Sequence, residues 1–169
     1  FAAYFEHIRK PLYYSVNVGN LLMIFLSDEV NSSPSEISDT TFRWWRKLVV
    51  ENQDKIIITV THAYLAQSKL FGHFLHRSNV LGSNRFARVL KKHRVDMWLA
   101  GHTTAPDHFG RGEHLVEELG GTLFVNVSSV RRDFGMDTRS RFLVFRQGSP
   151  VVSVKLRDHD QRTFIEDRE

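Results

Sequence analysis

The chain has 169 residues, 41% of them hydrophobic, a formal net charge of +4 and a pI near 9.6. That length carries one domain with a real core and is short for two. The absence of cysteine excludes a disulfide framework and any thiolate metal site, and no apolar run approaches the roughly 20 residues of a membrane span.

The cations lie in two dispersed clusters, Arg85 to Arg94 and Arg131 to Arg141. Neither forms the run of about five or six like charges that marks a nucleic-acid tail, so nucleic acid is not the expected partner. The chain opens at Phe1 within an amphipathic segment and is expected to be part of a longer one.

Tyr13 to Val18 and Leu21 to Leu26 read as strands joined at Gly19-Asn20, a hairpin signal between apolar flanks. A polar loop, Ser27 to Ser35, leads into a helix capped by Ser38 or Asp39, on which Phe42, Trp45, Leu48 and Val49 share a face. Trp44 and Trp45 read as core and helix-packing residues. Asp28 and Glu29 follow a strand, a place from which they could face the cleft, although turn carboxylates ordinarily cap or stay solvated.

Ile56 to Thr61 is β-branched without alternation, the pattern of a strand buried on both faces. Ala66 to His76 reads as a loop with a helical turn, because Gly72 and Gly82 interrupt its helix-spaced apolar residues. Ser83 or Asn84 then caps a helix through His93, with Phe86, Val89 and Leu90 inward and Arg85, Arg88, Lys91 and Lys92 outward. Met97 to Ala100 is a second buried strand.

After the Gly101 to Gly112 loop, Thr122 to Val127, Arg141 to Arg146 and Val151 to Leu156 are strand-like and joined by Gly and Pro turns. They are expected to form an antiparallel half that closes a single, partial domain. Asn126 reads as a satisfied polar group, and Arg157 to Glu169 as a loosely held charged tail.

Two of these strands run straight into a histidine: Lys55-Ile-Ile-Ile-Thr-Val-Thr-His62 and Val95-Asp-Met-Trp-Leu-Ala-Gly-His102. A strand that ends on His delivers an imidazole to the carboxyl edge of a sheet, where open α/β folds build their sites. Two such residues point to a shared ligand, most simply a metal, since neutral imidazole is the commonest protein metal donor. His7, His73, His76, His93, His108, His114 and His159 show no ligand spacing and read as surface residues.

The series Tyr13-Tyr-Ser-Val-Asn-Val-Gly-Asn20, Leu21 to Glu29, the Trp-containing helix, the strand to His62 and the Gly101-His102 strand resembles the second half of a calcineurin-like metallophosphoesterase, over Phe1 to about Val130. The resemblance implies an α/β fold, namely the C-terminal half of a four-layer α/β/β/α sandwich of mixed β-sheets flanked by helices. It also implies divalent metal cofactors (manganese, iron or zinc), a phosphate-ester substrate, either a mono- or a diester, and hydrolysis through a metal-activated water. His62 matches the family's lone strand-end His and His102 the first His of its Gly-His-x-His motif, both ligands of one metal.

The chain departs from the family in two places. Phe1 to Leu12 supplies none of the family's Asp-x-His, Gly-Asp and Gly-Asn-His motifs, so the missing N-terminal half, or self-association in its place, is an expected partner. The fourth residue of Gly101-His102-Thr103-Thr104 is threonine where the family has its second His, and a neutral hydroxyl is a weaker donor than imidazole. Thr104, Asp107 and His108 remain as weak or substitute ligands. Three readings stay open: the C-terminal part of a phosphoesterase, inactive without its upstream half; a degenerate, non-catalytic binding or scaffold domain; and a basic nucleic-acid-binding domain.

Overall fold

The structure is a computed structural model and describes residues 11–29, 35–70, 79–102, 112–127, 138–149 and 151–165. Six strands form the main sheet: β1 (Tyr13–Val18), β2 (Leu21–Leu26), β3 (Ile56–Thr61), β4 (Met97–Ala100), β5 (Glu113–Val116) and β6 (Thr122–Asn126), in the order β1-β2-β3-β4-β6-β5. β2, β3, β4 and β6 run parallel, while β1 and β5 are antiparallel edges. The β1–β2 hairpin turns at Gly19, whose φ of +58° suits glycine.

Period-two alternation divides the parallel strands between two cores. Leu22, Ile24, Ile57, Trp98 and Phe124 face α1 (Asp39–Glu51) and α2 (Ser83–Leu90), where they pack with Trp45, Val49, Phe86 and Leu90. Leu21, Ile58, Met97, Leu99 and Val125 face the other way, onto Leu143, Val152 and Val154 of a second sheet. That sheet is antiparallel: β7 (Arg139–Phe145), β8 (Val152–Asp158) and β9 (Thr163–Ile165). The layers are therefore helices, main sheet and second sheet. An outer helical layer on the second sheet is not present among the described residues.

α1 begins as the sequence implies, with Ser38 Oγ accepting the Thr41 N–H at 3.2 Å. The indole of Trp45 donates to Thr59 Oγ1 at 3.0 Å and that of Trp98 to Thr61 Oγ1 at 2.8 Å, so both buried indoles beside β3 have their N–H satisfied, while Trp44 packs partly buried against Tyr13.

Several elements differ from the sequence reading. α2 is capped by Gly82 at φ +69° and not by a Ser83 or Asn84 side chain, and it ends at Leu90. Ser83 Oγ instead donates back to the Val80 carbonyl. Arg85 is not simply outward: it pairs with Asp39 and lies over the Phe42 and Phe86 rings.

The largest difference is β6. It joins the main sheet parallel to β4, with β5 as a short antiparallel neighbour, because Phe124 and Val125 are both buried and complete the two cores. Only β7 to β9 form the separate antiparallel unit. In the stretch expected to be a loose tail, β8 continues to Asp158, whose Oδ1 accepts the Asp160 and Gln161 N–H groups and turns the chain into β9. Of the segment expected to be a loop with a helical turn, Phe71 to His76 lies outside the described residues. No helix among the described residues is long and apolar enough to cross a membrane.

Candidate metal centre

The parallel register pairs Leu26 of β2 with Thr61 of β3, and Thr59 with Trp98 of β4. The three strands thus end side by side at one carboxyl edge, and the residues that follow are Ser27-Asp28, His62 and Gly101-His102. There His62 Nε2 and His102 Nδ1 stand 2.7 Å apart, with the rings edge to face and their centroids separated by 4.7 Å. At that separation one nitrogen carries a proton and the other accepts it.

The backbone beneath this pair is tightly tied. The Gly101 N–H donates to the His62 carbonyl at 2.9 Å, and the Val127 N–H to the Ala100 carbonyl at 2.7 Å. A Cβ on Gly101 would sit 3.2 Å from the Val127 carbonyl oxygen, tighter than ordinary van der Waals contact, so the close approach favours glycine. His102 itself has φ +80°, a backbone sparsely used by residues with a side chain.

Behind the histidines, Trp98 Nε1 donates to Thr61 Oγ1, which donates in turn to the Ala63 carbonyl, both at 2.8 Å. Tyr64, fully buried, donates to Asn126 Oδ1 at the end of β6 at 2.5 Å.

His102 is exposed as a residue, yet its ring is partly shielded from water against its neighbours. That desolvation lowers its pKa below the ordinary histidine value, the charge of His62 lowers it further, and the Asp28 carboxylate acts in the opposite direction. A neutral imidazole is the form a metal needs.

Donor type and convergence fit a divalent metal as two of its ligands. Two nitrogens bound to one tetrahedral ion at about 2.0–2.1 Å would stand roughly 3.3 Å apart, so the 2.7 Å contact is the arrangement around a shared proton. Among the described residues no group of three or more His, Cys, Asp or Glu is arranged to hold a metal. Thr104, Asp107 and His108, the expected substitute ligands, lie outside the described residues, as do His7, His73 and His76. The other described histidines stand apart from the pair: His159 contacts Ser140 on the second sheet, His114 is on β5 and His93 follows α2.

The sequence reading treated Asp28 and Glu29 as one pair, and the structure separates them. Glu29 does behave as a turn carboxylate, taking the Thr41 hydroxyl at the start of α1. Asp28 has one oxygen on Ser35 Oγ at 2.9 Å and the other buried with no partner among the described residues. The available signal was its place two residues after a strand that neighbours the His62 strand.

The chain resembles the purple acid phosphatase PPD1 from yellow lupin (Lupinus luteus) seeds in fold, with a TM-score of 0.53 at 14% identity. The match covers 91% of this chain and 31% of that one, so the chain spans under a third of its structural neighbour. No curated protein matches the chain. The family model for calcineurin-like phosphoesterases matches residues 4–106, more than half of the chain and including both histidines. The chain belongs to the calcineurin-like phosphoesterase family.

Proposed function

We propose that this chain supplies the His62–His102 pair of a metal-dependent site that hydrolyses phosphate mono- or diesters. The observation that carries the reading is the convergence of these two imidazoles, from separate parallel strands, to 2.7 Å. His62 Nε2 and His102 Nδ1 would hold the metal, and the proton between them would pass to the outer nitrogen of its own ring, leaving both imidazoles neutral and both facing nitrogens free to donate. When bound, the ion supplies Lewis acidity toward a phosphoryl oxygen and lowers the pKa of the attacking water.

The chain's own residues contribute orientation. The Gly101-to-His62 backbone bond and the Trp98-Thr61-Ala63 relay fix the backbone at the sheet edge from which both rings project. The remaining ligands come from outside the described residues, either from Thr104, Asp107 or His108 or from a separate upstream segment. A partner is consistent with the second sheet, whose outer face presents Phe142 and Phe164, both exposed, where a further layer would cover them.

Hydrolysis of an aryl phosphate in excess manganese tests this reading. The 169-residue chain alone is expected to give no turnover above the metal background, and turnover is expected when a polypeptide carrying the missing ligand motifs is supplied. His102→Ala should abolish it. Turnover that survives His102→Ala would contradict the proposal.

A second reading is favoured by Thr104 at the position of the family's second histidine. In it the fold is kept as a non-catalytic binding domain, and no upstream segment restores activity although metal still binds.

A further inference from the structure

Asp28 lies two residues beyond β2, at the same carboxyl edge as His62 and His102. Its Oδ2 accepts a hydrogen bond from Ser35 Oγ at 2.9 Å. Ser35 is buried and anchored in turn: it forms a β-bridge with Val80, and its carbonyl takes the Leu81 N–H at 2.7 Å. The adjacent Glu29 is engaged elsewhere, through its backbone N–H to Glu36 and its side chain to Thr41. Asp28 is therefore held in place from one side only.

Its other oxygen, Oδ1, is buried and has no hydrogen-bond partner among the described residues. A shielded carboxylate oxygen with no donor leaves its negative charge uncompensated, a cost that a nearby cation offsets through space without direct contact. Leu26 of β2 is in register with Thr61 of β3, so Asp28 and His62 leave adjacent strands at the same edge. Two neutral imidazoles, for their part, give a divalent ion donors but no countercharge.

We propose that Asp28 is the positioning anion of the His62–His102 site: a carboxylate fixed through Ser35 whose negative charge favours a divalent cation at the imidazole pair without coordinating it. The inference rests on the metal-dependent reading above. It assigns to Asp28 an outer role, in keeping with the absence of a three-residue ligand group among the described residues. Carboxylates hydrogen-bonded to metal ligands change metal affinity by about 10- to 100-fold, and one that acts by charge alone is expected at the low end of that range.

The test is calorimetric titration of the full 169-residue chain with zinc and with manganese, comparing wild type, Asp28→Asn, Ser35→Ala and His62→Ala. Asp28→Asn should weaken binding at least about 10-fold and flatten its dependence on ionic strength, because a charge has been removed while shape is kept. Its metal-free thermal midpoint should stay level or rise, since an unmet buried charge is gone; a merely structural Asp28 would lower it. Ser35→Ala, which releases the carboxylate but keeps its charge, should cost only a few-fold.

Affinity in Asp28→Asn within twofold of wild type, with binding still lost in His62→Ala, would overturn this inference and leave the metal reading standing. A wild-type chain whose metal uptake is indifferent to His62→Ala would overturn both. If Asp28→Asn does not fold, Ser35→Ala still decides: an effect as large as that of His62→Ala would mean that position of the loop, and not the charge, is what matters.

Discussion

The Gly101 N–H reaches across the strand ends to the His62 carbonyl at 2.9 Å, so the residue that precedes one histidine is hydrogen-bonded to the backbone of the other. The two imidazoles are consequently set by backbone geometry before their side chains meet. Gly101→Ala would place a Cβ 3.2 Å from the Val127 carbonyl, against backbone that cannot swing aside. It should destabilise the protein by about 1–3 kcal/mol, the usual range for overpacking, and weaken zinc binding as well. Urea denaturation and a zinc titration on the same variant measure the two effects.

Trp98→Phe should lower stability by about 1–3 kcal/mol, the cost of stranding a buried polar partner. The indole is fully buried and donates to Thr61 Oγ1, whose own proton is committed to the Ala63 carbonyl. Restoring part of the loss with the double variant Trp98→Phe, Thr61→Val would identify the hydrogen bond, and not the lost ring area, as the cause. Equilibrium unfolding of the single and double variants provides the comparison.

Acidification should destabilise the metal-free chain through His102. Its folded-state pKa is lowered, chiefly by desolvation and then by His62, so the folded state binds its proton less readily than the unfolded state does. Where the unfolded chain binds more protons, stability rises with pH. The contribution is therefore fully present above the unfolded value near 6.5 and falls away as the pH drops below it. Urea midpoints measured from pH 8 down to about 5 should show this slope in wild type and a shallower one in His102→Asn; equal slopes would remove His102 as the cause.

Much of this arrangement was legible in the sequence because burial on both faces leaves a plain signature. Ile56 to Thr61 and Met97 to Ala100 could hardly be anything but central strands, and each delivers its histidine to the edge by position alone. β6 was misassigned because a five-residue apolar strand carries no mark of its direction: parallel pairing with β4 is decided by the two cores that Phe124 and Val125 fill. The α2 cap was misread because Ser83 is a good capping residue in isolation, and only the left-handed Gly82 places it inside the helix. Asp28 was noticed in the sequence but could not be told apart from Glu29. Its neighbour Glu29 has the same chemistry and an ordinary capping role, and what separates them is a partner, Ser35, on the far side of a loop.

The central claim is that His62 and His102 take one metal ion between them. Nitrogen-15 NMR of the imidazoles during a zinc titration reads that claim atom by atom. The account expects His62 Nε2 and His102 Nδ1 to begin as a protonated and unprotonated pair, and to shift together to metal-bound values at one equivalent, with the proton between them displaced to the outer nitrogen of its own ring. His62→Ala should then leave His102 Nδ1 without its zinc response at the same concentration. Retention of the proton-sharing pattern at saturating zinc, or a shift of only one of the two nitrogens, would contradict it.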